Sequence, residues 1–109
     1  MRRYGQVIGI DPARIDEYRR FHAAIWPEIA AAIREAGIRN YSIYRQGDRL
    51  FAYFEYLGPP EQFEARMQVL ARAPRMREWW DLMEPMQRPL EGRAPGAWWC
   101  DMEEVFHLD

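Results

Sequence analysis

The sequence predicts an α+β fold of the split β-α-β-β-α-β, ferredoxin-like kind, and three observations carry that expectation. Segments rich in β-branched and aromatic residues recur at 4–10, 40–46, 50–57 and 98–108. Apolar patterns of helical period fill the first and third intervals between them. The length of 109 residues suits one domain, 1–109, and is too short for two.

Each element follows from local chemistry. Residues 4–10 read as a strand stopped by Asp11-Pro12, a favoured N-cap followed by a favoured first helical residue. From there Ile15, Tyr18, His22, Ile25, Ile29 and Ile33 recur at spacings of three and four, one face of a helix. Pro27 falls inside that pattern and predicts a kink or split around Trp26, and Gly37 is placed to end the helix. Strands 40–46 and 50–57 flank a short Gly47-Asp48 link that reads as a hairpin turn. Gly58-Pro59-Pro60 breaks the second of these. Residues 61–72 then read as a helix with Phe63, Met67, Val69 and Leu70 inward. Ala73-Pro74 punctuates it, and 76–83 is a shorter helix carrying Trp79-Trp80. Pro and Gly at 85–97 predict a loop, and 98–108 a last strand.

An antiparallel sheet of this kind carries its helices on one face. In strand 50–57, Leu50, Ala52, Phe54 and Tyr56 alternate with Phe51, Tyr53 and Glu55, so both faces are largely apolar. Helices cover only one. The other calls for a partner, and a second copy of the chain is the economical one: the expectation is a homodimer with sheets packed face to face.

Composition excludes several function classes. All 15 basic residues are Arg, so Schiff-base chemistry and the P-loop, which both need Lys, are absent. There is no Thr, Ser42 is the sole Ser and Cys100 the sole Cys, which leaves little for a covalent nucleophile. A net charge of −2 with Arg scattered among carboxylates argues against nucleic-acid partners. A lone Cys points to a reducing compartment. No apolar run approaches the length of a signal-peptide core or a membrane span, so the expected location is the cytoplasm and no membrane partner is expected.

The candidates for chemistry are few. His22 lies one helical turn after Tyr18 on the apolar stripe, the way an acid–base site is built, and also the way a packed core histidine sits. Trp79 and Trp80 are about 100° apart on a helix, so one ring is core and the other lines a groove or interface. A flat indole with one N–H suits a sugar ring, and it suits plain packing equally. Trp98-Trp99 alternates across a strand, and packing is the favoured account. Tyr41, Tyr44, Tyr53 and Tyr56 put hydroxyls on the sheet, mainly in structural roles. His22 and His107 lack ligand spacing, so no metal site is expected. Cys100 reads as a small apolar residue, and Glu103-Glu104 as one solvated and one inward carboxylate.

Several blocks together resemble the L-rhamnose mutarotases. They are Glu17-Tyr18-Arg19-Arg20-Phe21-His22, then Ile25-Trp26-Pro27-Glu28, and Asn40-Tyr41-Ser42-Ile43-Tyr44 after Gly37. Trp79-Trp80 with Met83 and the closing Glu104-Val105-Phe106-His107-Leu108 complete them. The resemblance spans nearly the whole chain. It implies a dimeric α/β barrel that interconverts the α and β anomers of a free 6-deoxyhexose, a monosaccharide substrate, without cofactor or metal. By motif match, His22 would be the catalytic acid, and Tyr18, Tyr41, Trp79 and Trp80 would contact the sugar. The chain departs from the family at 88–99, where Arg88-Pro89-Leu90-Glu91-Gly92-Arg93 replaces an Asn-Pro-Asp-Asn-Ser-Pro-like segment. That keeps L-fucose or a related aldose open as the substrate. The competing classes are a small dimeric-barrel monooxygenase or haem-handling protein, and a non-catalytic binding module.

Overall fold

A computed structural model describes residues Met1–Asp109. Strand β1 (Arg2–Ile10) leads through a 3-10 turn, Pro12–Arg14, into α1 (Ile15–Ala23). The Asp11 carboxylate accepts the Ala13 N–H at 3.0 Å, so the N-cap expected from Asp-Pro is made. Helix α2 (Pro27–Glu35) follows a three-residue break, with Pro27 at its first turn. The long helix is thus split around Trp26, because a proline in mid-helix lacks an N–H and clashes with the preceding turn. Gly37, with φ +90°, closes α2 in the left-handed conformation that glycine adopts without strain.

Strands β2 (Ile38–Gln46) and β3 (Arg49–Tyr56) form the hairpin, turning at Gly47 with φ +59°. Helix α3 (Phe63–Arg72) follows a 3-10 turn, and α4 (Pro74–Met83) starts on Pro74. A further 3-10 turn leads to the two-residue β4 (Gln87–Arg88), and β5 (Cys100–Met102) comes last. The sheet order is β2-β3-β1-β4, with β5 also pairing β1, and every pairing is antiparallel. Since β4 joins Gly9 and Ile10 while β5 joins Gly5 to Val7, the two make one interrupted edge strand. That is the ferredoxin-like order.

The helices cover one sheet face. Leu50, Ala52, Phe54 and Tyr56 are buried beneath them, and the intervening Phe51, Tyr53 and Glu55 are half-buried on the open face. Ile8, Ile10 and Leu50 meet Tyr18, Ile29, Met76, Trp79, Met83 and Met86 in the main core. A smaller cluster of Ala36, Ile38 and Phe54 receives Phe63, Met67 and Leu70 from α3.

Four local expectations are corrected. Val69 is 68 % exposed rather than inward, because it lies about 100° around α3 from Leu70. Trp98 and Trp99 do not alternate in a strand: pairing begins at Cys100, Trp99 packs on the core and Trp98 is at the surface. The final strand is also far shorter than 98–108. It ends at Met102, opposite Gly5, and in that register Val105 would face Arg2 and leave no strand beyond. The reading of Glu103-Glu104 as one inward and one solvated carboxylate fails with it: both lie past the end of β5, where no alternation turns either inward, and both are exposed, Glu104 holding Arg3 at 2.9 Å, while Cys100 is half-buried beside Val7.

Candidate functional site

The stripe Ile15, Tyr18, His22, Ile25, Ile29 and Ile33 lines one wall of a cavity of ≈ 440 Å³. Ile43, Arg45 and Leu50 from the sheet, Trp79 and Trp80 from α4, and Arg19 at the margin line the rest. Its volume is that of a small-molecule site, about 300–1,000 Å³. The same apolar spacing that folds α1 and α2 onto the sheet therefore supplies the wall.

All five sequence-selected residues line this cavity: Tyr18, His22, Tyr41, Trp79 and Trp80. Tyr18 and His22 stack with ring centroids 4.3 Å apart, as one-turn spacing allows. His22 meets the edge of Trp79 at 5.3 Å, and Trp26 reaches the same indole at 5.2 Å. Trp79 is 5 % exposed and Trp80 36 %, so one indole is core and its neighbour faces outward at the cavity margin. Trp26 in turn carries the Arg75 guanidinium over its ring, 4.1 Å from the centroid.

Tyr41 reaches the cavity through a β-bulge. Arg39 pairs with Glu55 and Ser42 with Tyr53, so two residues of β2 stand where β3 has one. Asn40 absorbs the excess at φ +52°, and its side-chain amide donates to Glu55 at 2.8 Å. Unbroken alternation from Arg39 would put Tyr41 on the open face beside it. The bulge breaks that alternation, and Tyr41 stacks on Phe54 at 5.6 Å, on the helix side.

The imidazole is held in one tautomer. His22 Nδ1 donates to the Tyr18 carbonyl oxygen at 2.8 Å, and a carbonyl only accepts, so Nδ1 carries the hydrogen. Nε2 is left without a protein partner on a ring that lines the cavity. Burial lowers the His22 pKa below the ordinary 6.5 by penalising the cation, and the bond to the Tyr18 carbonyl opposes this in part. Burial also pushes the Tyr18 phenol upward, against the donated bond from Gln87. Desolvation also raises the Tyr41 phenol, though the residue as a whole is 40 % exposed at the cavity rim. Both phenols are therefore neutral hydroxyls near pH 7.

This arrangement supplies a proton-exchanging nitrogen, neutral hydroxyls and flat aromatic walls in one recess. Residues 3–108 match the family model of L-rhamnose mutarotase. The chain belongs to the L-rhamnose mutarotase family. It is 36 % identical to the L-rhamnose mutarotase of Lactiplantibacillus plantarum, with all of both chains covered. It is 32 % identical to that of Oceanobacillus iheyensis over the same full extent. An L-fucose mutarotase of Xanthomonas campestris pv. campestris is 36 % identical over 90 % of this chain and 79 % of its own. In fold, it matches the crystal structure of an L-rhamnose mutarotase from Formosa agariphila with a TM-score of 0.77 at 22 % identity, both chains fully covered. Tetracenomycin F2 cyclase from Streptomyces glaucescens shares the fold at a TM-score of 0.67 and 17 % identity, again over the full length of both.

In this mutarotase-family chain no three of the His, Cys, Asp and Glu side chains gather as a metal-ligand group. His107 is remote from His22, at the exposed C-terminal end, where it bonds Asp109 at 2.7 Å. Sequence reasoning missed Gln87, which is buried and donates from Nε2 to Tyr18 Oη at 3.1 Å. It lies in the Pro-rich stretch read as a loop, and nothing in that spelling marks a buried amide. The Asn40 bulge was missed as well, although Asn is among the few residues that accept positive φ.

Proposed function

We propose that this chain is an aldose mutarotase that interconverts the α and β anomers of L-rhamnose, with His22 as its general acid. The observation that carries the reading is the free Nε2 of His22 in an aromatic and isoleucine-lined recess. Mutarotation opens a cyclic hemiacetal, turns the aldehyde carbon and recloses the ring. Nothing covalent joins enzyme and sugar. Ring opening needs a proton placed on the ring oxygen as the anomeric hydroxyl loses one. The His22 imidazolium donates the first from Nε2, a water in the recess accepts the second, and both protons return when the sugar ring recloses. Burial makes that imidazolium a minority form near neutrality and a stronger acid when it occurs. Tyr18, Tyr41, Trp79 and Trp80 hold the sugar, the indoles against its C–H faces and the phenols at its oxygens.

The isoleucine wall favours a methyl over a hydroxymethyl group at C6, since a buried hydroxyl without a partner costs about 1–3 kcal/mol. The near relatives include an L-fucose mutarotase, so L-fucose is the second substrate to test. The experiment is anomer exchange by saturation-transfer NMR with L-rhamnose, L-fucose and D-glucose. Exchange of L-rhamnose no faster than in buffer would refute the activity.

We also assign the working form as a cytoplasmic homodimer. Val7, Phe51 and Tyr53 stand on the open sheet face, and Val105, Phe106 and Leu108 are 89 %, 79 % and 79 % exposed. Apolar surface of this extent is covered in a working protein, and one partner that fits both patches reciprocally is a second copy. The location is supported by the single cysteine, and no helix is long and apolar enough to cross a membrane.

A further inference from the structure

Gln87 is the one buried polar residue of the chain, and it joins two aromatic residues far apart in sequence. Trp98 Nε1 donates to Gln87 Oε1 at 2.8 Å, and Gln87 Nε2 lies 3.1 Å from Tyr18 Oη. An indole N–H only donates. The oxygen of the Gln87 amide must therefore face Trp98, and its NH₂ must face the phenol. Tyr18 Oη accepts that bond. Its own hydrogen then has no protein acceptor, and Tyr18 borders the cavity.

We propose that Gln87, oriented by Trp98, is a positioning residue that turns the Tyr18 hydroxyl hydrogen into the cavity, so that Tyr18 donates to a sugar oxygen. The inference rests on the reading of the cavity as a monosaccharide site. It deepens that reading by giving the polarity of the recess: Tyr18 offers a hydrogen, and the stacked His22 offers, in its neutral form, a lone pair at Nε2. A sugar hydroxyl that accepts from one and an adjacent hydroxyl that donates to the other match the pair. Geometry holds the device in place. Gln87 is paired through β4 with Ile10, itself a cavity residue, and is flanked by Pro85 and Pro89. The device draws on Trp98, within the 88–99 stretch where the sequence departs from the family's usual spelling.

The test compares kcat and KM for L-rhamnose anomer exchange in wild type, Gln87→Leu, Gln87→Glu and Tyr18→Phe, and in both double variants. Gln87→Leu is expected to raise KM by about 2- to 13-fold, the worth of one net hydrogen bond, with a smaller change in kcat. An ionised Glu at 87 accepts only, so it captures the Tyr18 hydrogen. When protonated it donates as the amide does. The deficit of Gln87→Glu relative to wild type is thus expected to grow as pH rises through ionisation of that carboxyl. Both effects should vanish in the Tyr18→Phe background, where a purely structural loss would persist. The Trp98 indole N–H resonance, identified with Trp98→Phe, should shift in Gln87→Leu with no sugar present. Equal losses with and without the Tyr18 hydroxyl, or wild-type KM in both Gln87 variants, overturn the assignment while leaving the mutarotase reading intact. A wild type that exchanges no anomers overturns both, and the indole shift then still reports whether the hydrogen-bond chain exists.

Discussion

His22 Nδ1 lies 2.8 Å from the carbonyl oxygen of Tyr18, one turn back along α1. This bond sets which imidazole nitrogen faces the cavity, and it does so from backbone that the helix already fixes. Replacing His22 by Ala removes a positioned proton transfer and is expected to slow exchange by about 10²- to 10⁴-fold. With the His22 imidazolium as the proposed acid, kcat/KM in wild type should fall as pH rises through the His22 pKa. Burial lowers that pKa, so the midpoint should lie below 6.5. A pH-rate profile from 4.5 to 8.5 measures it, and a midpoint above 6.5 would contradict the role of burial.

The same shift acts on stability. The unfolded chain holds a proton on His22 up to about pH 6.5, and the folded chain releases it at lower pH. Between those points the unfolded state binds more protons, so stability rises with pH there. His22's contribution is complete above pH 6.5 and is lost as pH falls through the folded value. Urea unfolding across pH 4.5–7.5 should therefore show a steeper acid-side loss in wild type than in His22→Phe. Parallel curves would mean that the ring is not desolvated.

Much of this site was legible in the sequence because its parts obey helical period. Ile15 to Ile33 form both a packing stripe and a cavity wall, and Tyr18 with His22 is an i, i+4 pair on it. Trp79 and Trp80 separate into inner and outer rings by the angle between adjacent helix positions. What escaped the pattern depends on register and tertiary contact. No period announces that one extra residue at Asn40 turns Tyr41 to the other face, or that a loop amide is buried against a phenol 69 residues away. The final strand was overestimated for a related reason. Alternation at 98–108 states a propensity, whereas pairing needs a neighbour: β5 stops at Met102 opposite Gly5, and β1 itself reaches back only to Arg2, which would oppose Val105.

The bulge itself is testable. Asn40 sits at φ +52°, where a β-branched side chain is strained by about 1–2 kcal/mol. Asn40→Val should lower stability by that order in urea unfolding and raise KM, as the Tyr41 ring loses its fixed aim. Asn40→Gly permits the backbone angle and loses only the bond to Glu55, so its cost should be smaller. If the valine variant matched the glycine variant in both measurements, the bulge would not be what aims Tyr41.

Substrate choice at C6 follows from the isoleucine wall. L-Mannose differs from L-rhamnose by a hydroxyl in place of a hydrogen at C6. Burying that hydroxyl against Ile25, Ile29 and Ile33 should lower kcat/KM by about 5- to 150-fold, the equivalent of an unpartnered buried polar group. Competition between the two sugars in one NMR sample gives the ratio directly. Equal turnover would place C6 away from the isoleucines.

The open sheet face and the C-terminal residues carry the last prediction. Glu104 is held to Arg3 at 2.9 Å, which anchors the chain just before the exposed Val105, Phe106 and Leu108. In the proposed homodimer these side chains would pass from one copy onto the other, and Phe51 would meet its counterpart's sheet. Removal of residues 105–109 leaves every β1 pairing and both core clusters in place. It should therefore weaken association more than it lowers helix content by circular dichroism. Phe51→Arg puts a charge at the centre of the face and should abolish the dimer, because an unpaired buried charge opposes association strongly. Sedimentation velocity at micromolar concentration reads both. A wild-type monomer under those conditions would remove the homodimer, and a Phe51→Arg chain that sediments with wild type as a dimer would move the interface off the open sheet face.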